Sequence, residues 1–321
     1  MANGYYWLSR LCYKKSFRQL ILEYILFIRQ KLFFDSVILF MKNRDISLSP
    51  VPAVLLAIIS VQCGAAIAKT LFPTIGSAGT ASMRIGISAL ILLLAYRPNL
   101  KIITAKQWKL VIPYGLSLGA MNLIYYIAIE RIPIGLAVTL EFVGPLLLAI
   151  AGSKRLVDYC WVLLAAIGIL LIAPWTNDRL DPVGIICALL AGAFWSAYIV
   201  LGGKVSKIMN DGDAVTIGML FAAFLVLPFG FLESGLNNLT PKLFGMGIAL
   251  ALLSSAIPFT LEMKALGKLP PRTFSILMSL EPAAASICAF IFLKESLNFY
   301  EILAVVCVVI ASAGSTLTSK K

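Results

Sequence analysis

From residue 51 onward the chain alternates long apolar stretches with short polar connections. The apolar stretches are continuous and 16–22 residues long, about the length that a helix needs to cross a hydrocarbon core of about 30 Å. Continuous apolar runs favour helices over barrel strands, which alternate polar and apolar residues over about ten positions. The pattern predicts an all-α membrane protein with ten transmembrane helices. We place them at residues 51–70, 78–96, 107–128, 134–152, 159–174, 183–202, 214–232, 244–264, 272–293 and 299–317.

Composition and charge agree with a membrane protein. The 321 residues are 60% hydrophobic and 13% charged, whereas soluble domains carry about 25% charged residues. The net charge is +12, and its distribution follows topology: of the 21 Lys and Arg residues after residue 40, 15 fall in connections on one side of the predicted membrane and five on the other. This split follows the positive-inside rule with both termini in the cytoplasm. We therefore expect no nucleic-acid partner.

Several chemistries lack the residues that they need. The chain has no histidine, which is the commonest metal ligand and proton carrier. Its six cysteines show no CxxC or other ligand spacing, and no GxxxxGK[ST] phosphate loop is present. We find no nucleophile and base at catalytic spacing. The sequence therefore predicts no metal, no cofactor, no ATP-driven pump and no enzyme, so any proton chemistry must use carboxylates.

Residues 1–50 are set apart as an N-terminal extension. Residues 19–40 are apolar, but four charged residues interrupt them, which argues against a span. Met41 then opens a short basic lead to the first predicted helix. Two interpretations stay open: an upstream start that is not the true one, or an accessory interfacial segment. Neither enters the mechanism.

The chain contains a weak internal repeat. Aligning Pro133 with Pro270 also aligns Pro145 with Pro282, a constant offset of 137 residues. Because five helices is an odd number, the second of two five-helix halves must enter the membrane inverted. Inverted repeats are typical of secondary transporters, whose sites lie near the midplane where the repeats meet. The predicted halves are residues 51–174 and 183–318.

Four charged residues lie deep within predicted helices, namely Arg84, Glu141, Glu262 and Glu281. A charge at that depth costs about 2.5–3.5 kcal/mol on insertion scales and is by default a functional candidate. Arg84 keeps its charge and needs an anion or a hydrated cavity, which one glutamate would supply. Two carboxylates are then left without a fixed cation, and this predicts proton uptake and release. The alternative is a structural bridge between Arg84 and one glutamate, with the others in hydrated crevices.

Other polar residues and prolines at similar depth are candidates for lining a cavity. A proline within a helix frees the carbonyl four residues earlier, and freed backbone at membrane depth is tolerated where it lines a cavity. Arg84 would then bind the carboxylate of a zwitterionic amino acid, and a glutamate with the freed carbonyls would bind its ammonium. The cavity candidates are Gln62, Asn122, Tyr125, Trp195, Ser196, Tyr198, Ser254, Pro258, Ser279 and Pro282.

Three strings of residues resemble a known family. They are SVQCGAAIAKTLFP (60–73), SLGAMNLIYYIAIERIPIGLAVTLEFVGPL (117–146) and SSAIPFTLEMKALGKLPPRTFSILMSLEPA (254–283). They are similar to the threonine and homoserine exporters among the EamA-type drug/metabolite transporters. The resemblance implies ten helices in two inverted repeats, an inner-membrane location and efflux of small amino acids that uses the proton gradient. Without assigning roles, the pattern covers Gln62, Lys69, Arg84, Asn122, Glu141, Glu262, Arg272 and Glu281.

The prediction from the sequence is an inner-membrane exporter of threonine, homoserine or similar amino acids, driven by proton antiport with alternating access. Its expected partners are the amino acid, protons and the lipid bilayer. Two alternatives stay open. One is an exporter or facilitator of another metabolite, such as aromatic amino acids, nucleobases or cationic drugs. The other is a membrane scaffold that transports nothing.

Overall fold

The protein is described from a computed structural model. The structure describes residues 49–132, 134–172, 181–232, 239–281, 283–284 and 299–319. The N-terminal extension up to residue 48 and the candidate Pro282 lie outside the described residues. Residues 49–319 belong to one compact unit.

Within the described residues the secondary structure is entirely helical, which confirms the all-α part of the predicted fold class. The α-helices are α1 Pro50–Ile75, α2 Ser77–Tyr96, α3 Ala105–Arg131, α4 Ile134–Glu141, α5 Val143–Gly152, α6 Leu156–Ile172, α7 Pro182–Val205, α8 Asp211–Leu232, α9 Pro241–Ala251, α10 Ile257–Leu266, α11 Pro271–Met278 and α12 Phe299–Ser319. A five-residue π-helical turn, Leu252–Ala256, joins α9 to α10, and a short 3₁₀ turn lies at Leu100–Ile102.

Five helical segments of the described chain are long and apolar enough to cross a membrane. They are α2, α3, α7, α8 and the continuous segment Pro241–Leu266. Shorter apolar stretches lie in α1, α5, α6 and α12. Large apolar side chains on these helices, such as Leu90, Leu163 and Phe224, are exposed, as expected of surfaces that face lipid. The protein is therefore a multi-pass membrane protein.

Local sequence signals set several helix ends. Thr104 and Gln107 form a capping box at the start of α3, which satisfies two amide groups that the first turn leaves without partners. Asp181 accepts the amide of Val183 and precedes Pro182 at the start of α7, and proline is well tolerated at that position. Gly76 separates α1 from α2 with φ of 71°, a conformation that glycine adopts without strain.

The helices pack through small residues. The most extensive contacts join α3 to α7, α2 to α8 and α6 to α12. A Cβ added at Gly115 of α3 would lie 2.4 Å from the carbonyl oxygen of Gly218 in α8. Close backbone approach of this kind is typical of membrane helices, because lipid provides no hydrophobic drive for their association.

Three breaks interrupt the helices near the predicted charged residues. Phe142 separates α4 from α5, the π turn separates α9 from α10, and α11 ends at Met278 before a turn at Ser279. The eight residues of α4 and the eight of α11 are related by the offset of 137 residues found in the sequence, since 134 plus 137 is 271 and 141 plus 137 is 278. The two short helices therefore begin and end at positions that the repeat predicted from the sequence would make equivalent.

Helix ends meet at two opposite faces of the helix assembly. At one, the Gln107 side chain donates a hydrogen bond to the Ile208 carbonyl at 2.7 Å, and Gly212 packs against Tyr96. We call this the Gln107 face. The opposite ends of α2 and α3 lie at the other, where Ser77 hydrogen-bonds Glu130 and Arg131 pairs with Asp181. We call this the Asp181 face.

Two ion pairs tie helix ends together, and they differ in burial. The Arg272 guanidinium pairs with Asp158, whose carboxylate also accepts the amides of Lys154 and Arg155; the Arg272 and Asp158 side chains are 15% and 3% exposed. At the Asp181 face the Arg131 and Asp181 side chains are 46% and 33% exposed. The Val183 amide and the Arg131 guanidinium hold the pKa of Asp181 below its ordinary value. Its stabilising contribution is therefore present while it is ionised and is lost as the pH falls through that lowered pKa.

The buried ion pair is expected to matter more for stability than the exposed one. We expect Asp158→Ala to reduce the free energy of unfolding by about 3 kcal/mol, because it leaves the Arg272 guanidinium buried without a carboxylate. Asp181→Ala serves as the control at the exposed pair, where solvent screens the charges, and should cost less. Thermal unfolding of the purified variants in detergent measures both, and equal losses would contradict the assignment.

Candidate functional site

The structure brings three of the four predicted charged residues together. Arg84 lies on α2, Glu141 is the last residue of α4, and Glu281 follows the break after α11. Each is half-buried, and the three interact electrostatically. Tyr125 of α3 interacts with all three. We call Arg84, Tyr125, Glu141 and Glu281 the central cluster.

Arg84 is held by hydroxyl groups. Its Nε donates to the Ser255 Oγ at 2.7 Å, and its Nη1 donates to the Tyr126 hydroxyl at 3.4 Å. Among the described residues, no carboxylate oxygen lies within 4.0 Å of its guanidinium nitrogens, the distance that defines an ion pair. The predicted bridge between Arg84 and one glutamate is therefore not formed in this conformation, and the guanidinium is oriented without being neutralised by direct contact.

The π turn that carries Ser255 is built into the surrounding helices. Ser60 of α1 donates to the Leu253 carbonyl at 2.6 Å, and Ser88 of α2 donates to the Ala251 carbonyl at 2.8 Å. A Cβ at Gly64 would lie 1.9 Å from the Ser254 Oγ, so α1 needs glycine there to approach the turn. Pro258 follows the turn and contributes no amide donor. Turns of this type are frequent at functional sites.

Glu141 is positioned by a backbone contact with α7. A Cβ at Gly192 would lie 2.2 Å from the Glu141 carbonyl oxygen, and one at Gly144 would lie 2.0 Å from the Gly192 carbonyl oxygen. The Trp195 ring, one turn further along α7, packs edge-on against Phe142 with centroids 4.7 Å apart. The break after Glu141 thus packs directly against the backbone of α7. A side chain at Gly144 or Gly192 would prevent this contact, which we call the glycine clamp.

Glu281 is positioned through its backbone. The Gln62 side chain of α1 donates from Nε2 to the Glu281 carbonyl oxygen at 3.2 Å. This contact places the predicted residue Gln62 beside the central cluster and links α1 to the break after α11. The Glu281 carboxylate itself is left to interact with Arg84.

Glu262 occupies a separate location. Its side chain is 3% exposed, and its Oε2 accepts a hydrogen bond from the Tyr198 hydroxyl at 2.9 Å. It lies four residues before the end of α10, about 6 Å along the axis, and so near the Gln107 face. Arg84 lies seven residues from the start of α2, about 11 Å from the Asp181 face. Glu262 nonetheless interacts electrostatically with Glu281 and Arg84.

Several predicted cavity residues use their polar groups within their own helix. Asn122 donates to the Leu118 carbonyl at 2.8 Å, Ser196 to Gly192 at 3.2 Å, and Ser279 to Ile276 at 2.6 Å. Hydrogen bonds to the preceding turn are a common way to satisfy such side chains. The geometry does not by itself direct these three groups toward a ligand.

Sequence reasoning missed three residues of the site, Tyr126, Ser255 and Tyr114. Tyr126 and Ser255 are the neighbours of the predicted Tyr125 and Ser254, and a helix turns adjacent residues about 100° apart. Choosing between them required the orientation of α3 and of the π turn. Tyr114 stacks on Tyr198 with ring centroids 5.3 Å apart. It lies in an apolar stretch, and its partner is 84 positions away, so no local signal marked it.

The described residues contain no group of three or more His, Cys, Asp or Glu side chains that could hold a metal ion. The central cluster and its neighbours offer a guanidinium, carboxylates, hydroxyls and backbone carbonyls. This combination suits a ligand that carries both charges and exchanges hydrogen bonds.

Comparison with known proteins gives consistent matches. The profile of the EamA-like transporter family matches residues 182–317. The threonine/homoserine exporter RhtA of Escherichia coli K12 is 42% identical over 276 residues, which cover 85% of this chain and 92% of the exporter. The protein of the same name from Salmonella typhimurium LT2 is 41% identical over the same lengths. The uncharacterized transporter YwfM of Bacillus subtilis is 26% identical over 151 residues, 47% of this chain and 46% of YwfM.

One crystal structure superimposes on the chain with a TM-score of 0.69 at 14% sequence identity. The match covers 84% of this chain and 97% of the other. At that identity the likeness shows that the fold is shared.

The glycine clamp at the Glu141 break can be tested by adding one methyl group. We expect Gly192→Ala to lower the stability of the protein by about 1–3 kcal/mol, because the new Cβ would overlap the Glu141 carbonyl oxygen and force α4 and α7 apart. Gly245→Ala is the matched control, since a Cβ there meets nothing within 4 Å. Thermal unfolding in detergent compares the two. A Gly192→Ala protein as stable as Gly245→Ala would show that the contact is not tight.

Proposed function

The chain belongs to the EamA-like transporter family, and from this premise we propose that it exports threonine, homoserine and similar small amino acids across the bacterial inner membrane in exchange for protons. The substrate is inferred from the 41–42% identity to named threonine/homoserine exporters over 92% of their length. Membership of a transporter family also agrees with the prediction that the chain is not an enzyme.

We propose ten transmembrane helices in two inverted repeats, at residues 51–174 and 183–318. The match in position and length between α4 and α11 at the offset of 137 residues supports this arrangement. The family match at residues 182–317 coincides with the proposed second repeat. In such a transporter the two repeats rock about a central site and expose it to one side at a time.

The Gln107 face is proposed to be cytoplasmic. Many Lys and Arg residues cluster in the helix ends and connections at this face, and positive charge is retained on the cytoplasmic side during insertion. Both termini then lie in the cytoplasm. The residues are Arg97, Lys101, Lys106, Lys109, Lys204, Lys207, Lys264 and Lys268.

The central cluster is proposed to bind the amino acid. Arg84 is oriented by Ser255 and Tyr126 and has no directly paired carboxylate among the described residues, so it would accept the substrate carboxylate. Glu141 and Glu281, which interact electrostatically with Arg84, would face the substrate ammonium. A zwitterion bound in this way adds no net charge to the site, and an added unpaired charge within the membrane would be costly.

Proton exchange is proposed to use Glu262 together with Glu281. Three carboxylates and one guanidinium interact in the membrane interior, so the site holds more carboxylates than cations. Such a set can carry protons at low cost, because protonation removes excess buried charge. Protons would enter from the outside as the amino acid leaves the central cluster, and they would be released at the Gln107 face.

Neutralising Arg84 should weaken substrate binding. In proteoliposomes preloaded with threonine, we expect Arg84→Gln to reduce the apparent affinity for labelled threonine at least tenfold, since a hydrogen bond to a charged group contributes about 1.5–3 kcal/mol. Lys109→Gln, which removes an exposed cation from the Gln107 face, is the control and should transport normally. The same vesicles tested with aromatic amino acids, nucleobases and cationic drugs address the other substrates. The proposal fails if wild-type protein moves one of these and not threonine.

The two cluster glutamates are expected to differ in role. Glu281 interacts electrostatically with Arg84 and with Glu262, whereas Glu141 interacts with Arg84 and Glu281. We therefore expect Glu281→Gln to flatten the pH dependence of threonine counterflow, and Glu141→Gln mainly to raise the threonine concentration needed for half-maximal flux. Flux measured at several pH values and substrate concentrations separates the two effects. Equal changes in both variants would count against separate roles.

A further inference from the structure

Tyr114 fills a slot that three helices leave open for an aromatic ring. A Cβ at Gly218 of α8 would lie 2.2 Å from Tyr114 Cε1, and one at Gly202 of α7 would lie 3.3 Å from Tyr114 Cε2. Tyr114 itself comes from α3 and is fully buried. Its ring stacks on the Tyr198 ring. Phe259 packs edge-on against Tyr198, with ring centroids 5.7 Å apart. The slot is therefore formed by packing that holds both tyrosines in place.

The hydroxyls of this stack lead to Glu262. Tyr198 donates to Glu262 Oε2 at 2.9 Å. The Tyr114 hydroxyl is buried and interacts with the Tyr198 hydroxyl, but without full hydrogen-bond geometry among the described residues. A buried hydroxyl without a well-formed hydrogen bond is costly, and phenylalanine would fill the same space without that cost. A buried donor next to a hydrogen-bonded carboxyl group becomes useful when that group loses its proton, because the donor can then stabilise the negative charge.

The charged groups around Glu262 are few. From α1, Ala53 and Ala57 pack against Leu261, so this side is apolar. Tyr198 approaches from α7 and Tyr114 from α3, while Glu281 and Arg84 act at longer range from the central cluster. From α8, Asp211 interacts with Tyr114 and with Lys264 and Lys268 of the Gln107 face. Direct hydrogen bonding to the Glu262 carboxylate therefore comes from the tyrosine side.

We propose that Tyr198 and Tyr114 are positioning residues for Glu262, and that their hydroxyls stabilise its carboxylate form and so set the pH at which it exchanges a proton. The inference rests on the proposed role of Glu262 in proton exchange. When the carboxyl O–H bond of Glu262 breaks, the proton passes to water at the Gln107 face. Tyr198 then donates to the new carboxylate, and Tyr114 supplies a second donor to the Tyr198 oxygen. When Glu262 is protonated again, its carboxyl group no longer carries the negative charge that these two donors stabilise.

Infrared titration of the reconstituted protein tests the proposal without any substrate. The carboxylic-acid C=O band that is lost in Glu262→Gln is assigned to Glu262, and its intensity is followed against pH. We expect Tyr198→Phe to move the midpoint to higher pH by about one unit, the effect of losing one hydrogen bond to a charged group. Tyr114→Phe should move it in the same direction by less. Tyr159→Phe removes a hydroxyl that donates to the Ser153 carbonyl between α5 and α6. This variant should leave the Glu262 midpoint unchanged.

The outcomes separate this inference from the proposed function. Both Phe variants keep the ring stack, and their thermal unfolding shows whether they fold normally. An unchanged midpoint in folded Tyr198→Phe, or a Glu262 band that does not titrate, overturns the positioning role. Wild-type protein that fails in threonine counterflow while the midpoint shifts as expected overturns the substrate and leaves the positioning role supported. A shifted midpoint with a matching shift in the pH profile of threonine flux supports both.

Discussion

A permanent positive charge in the membrane interior needs polar surroundings, and much of this fold supplies them for Arg84. The guanidinium is held by the hydroxyls of Ser255 and Tyr126. Ser255 reaches it from a π turn, whose neighbouring carbonyls are bonded by serines of α1 and α2. Lipid offers no hydrogen bonds, so irregular backbone at this depth must be satisfied by protein or cavity water. The position of one cation thus depends on the packing of three helices.

The carboxylates, like Arg84, are placed by the packing of the helices, here through helix breaks and through glycines that allow close helix contacts. Glu141 ends the short helix α4, and Glu281 follows the short helix α11, which has the same length. Gly192 lets α7 approach the Glu141 carbonyl, and Gln62 holds the Glu281 carbonyl. Each acid is therefore fixed through its backbone, and in the proposed mechanism its side chain responds to a ligand or a proton. Such an arrangement preserves site geometry while the charge changes.

The carboxylates divide into two environments that differ in burial. The central cluster mixes opposite charges and is half-buried, whereas Glu262 lies in a tyrosine-lined position near the Gln107 face. Electrostatic interaction through Glu281 and Arg84 connects the two. A transporter that exchanges a zwitterion for protons needs this kind of connection, because binding of one must change the free energy of binding the other.

The all-α class, the approximate positions of most described helices, the four charges within apolar stretches and the offset that relates α4 to α11 can be read from the order of residues. They follow from apolar length, from the cost of charge in hydrocarbon and from the spacing of prolines, none of which requires knowing which helices meet. Long-range packing determines that Arg84 hydrogen-bonds hydroxyls and, among the described residues, no glutamate, that Ser255 and Tyr126 reach it, and that Tyr114 stacks on Tyr198. Those contacts join residues 42–171 positions apart, and which face of each helix meets its neighbour is fixed by packing across the whole assembly.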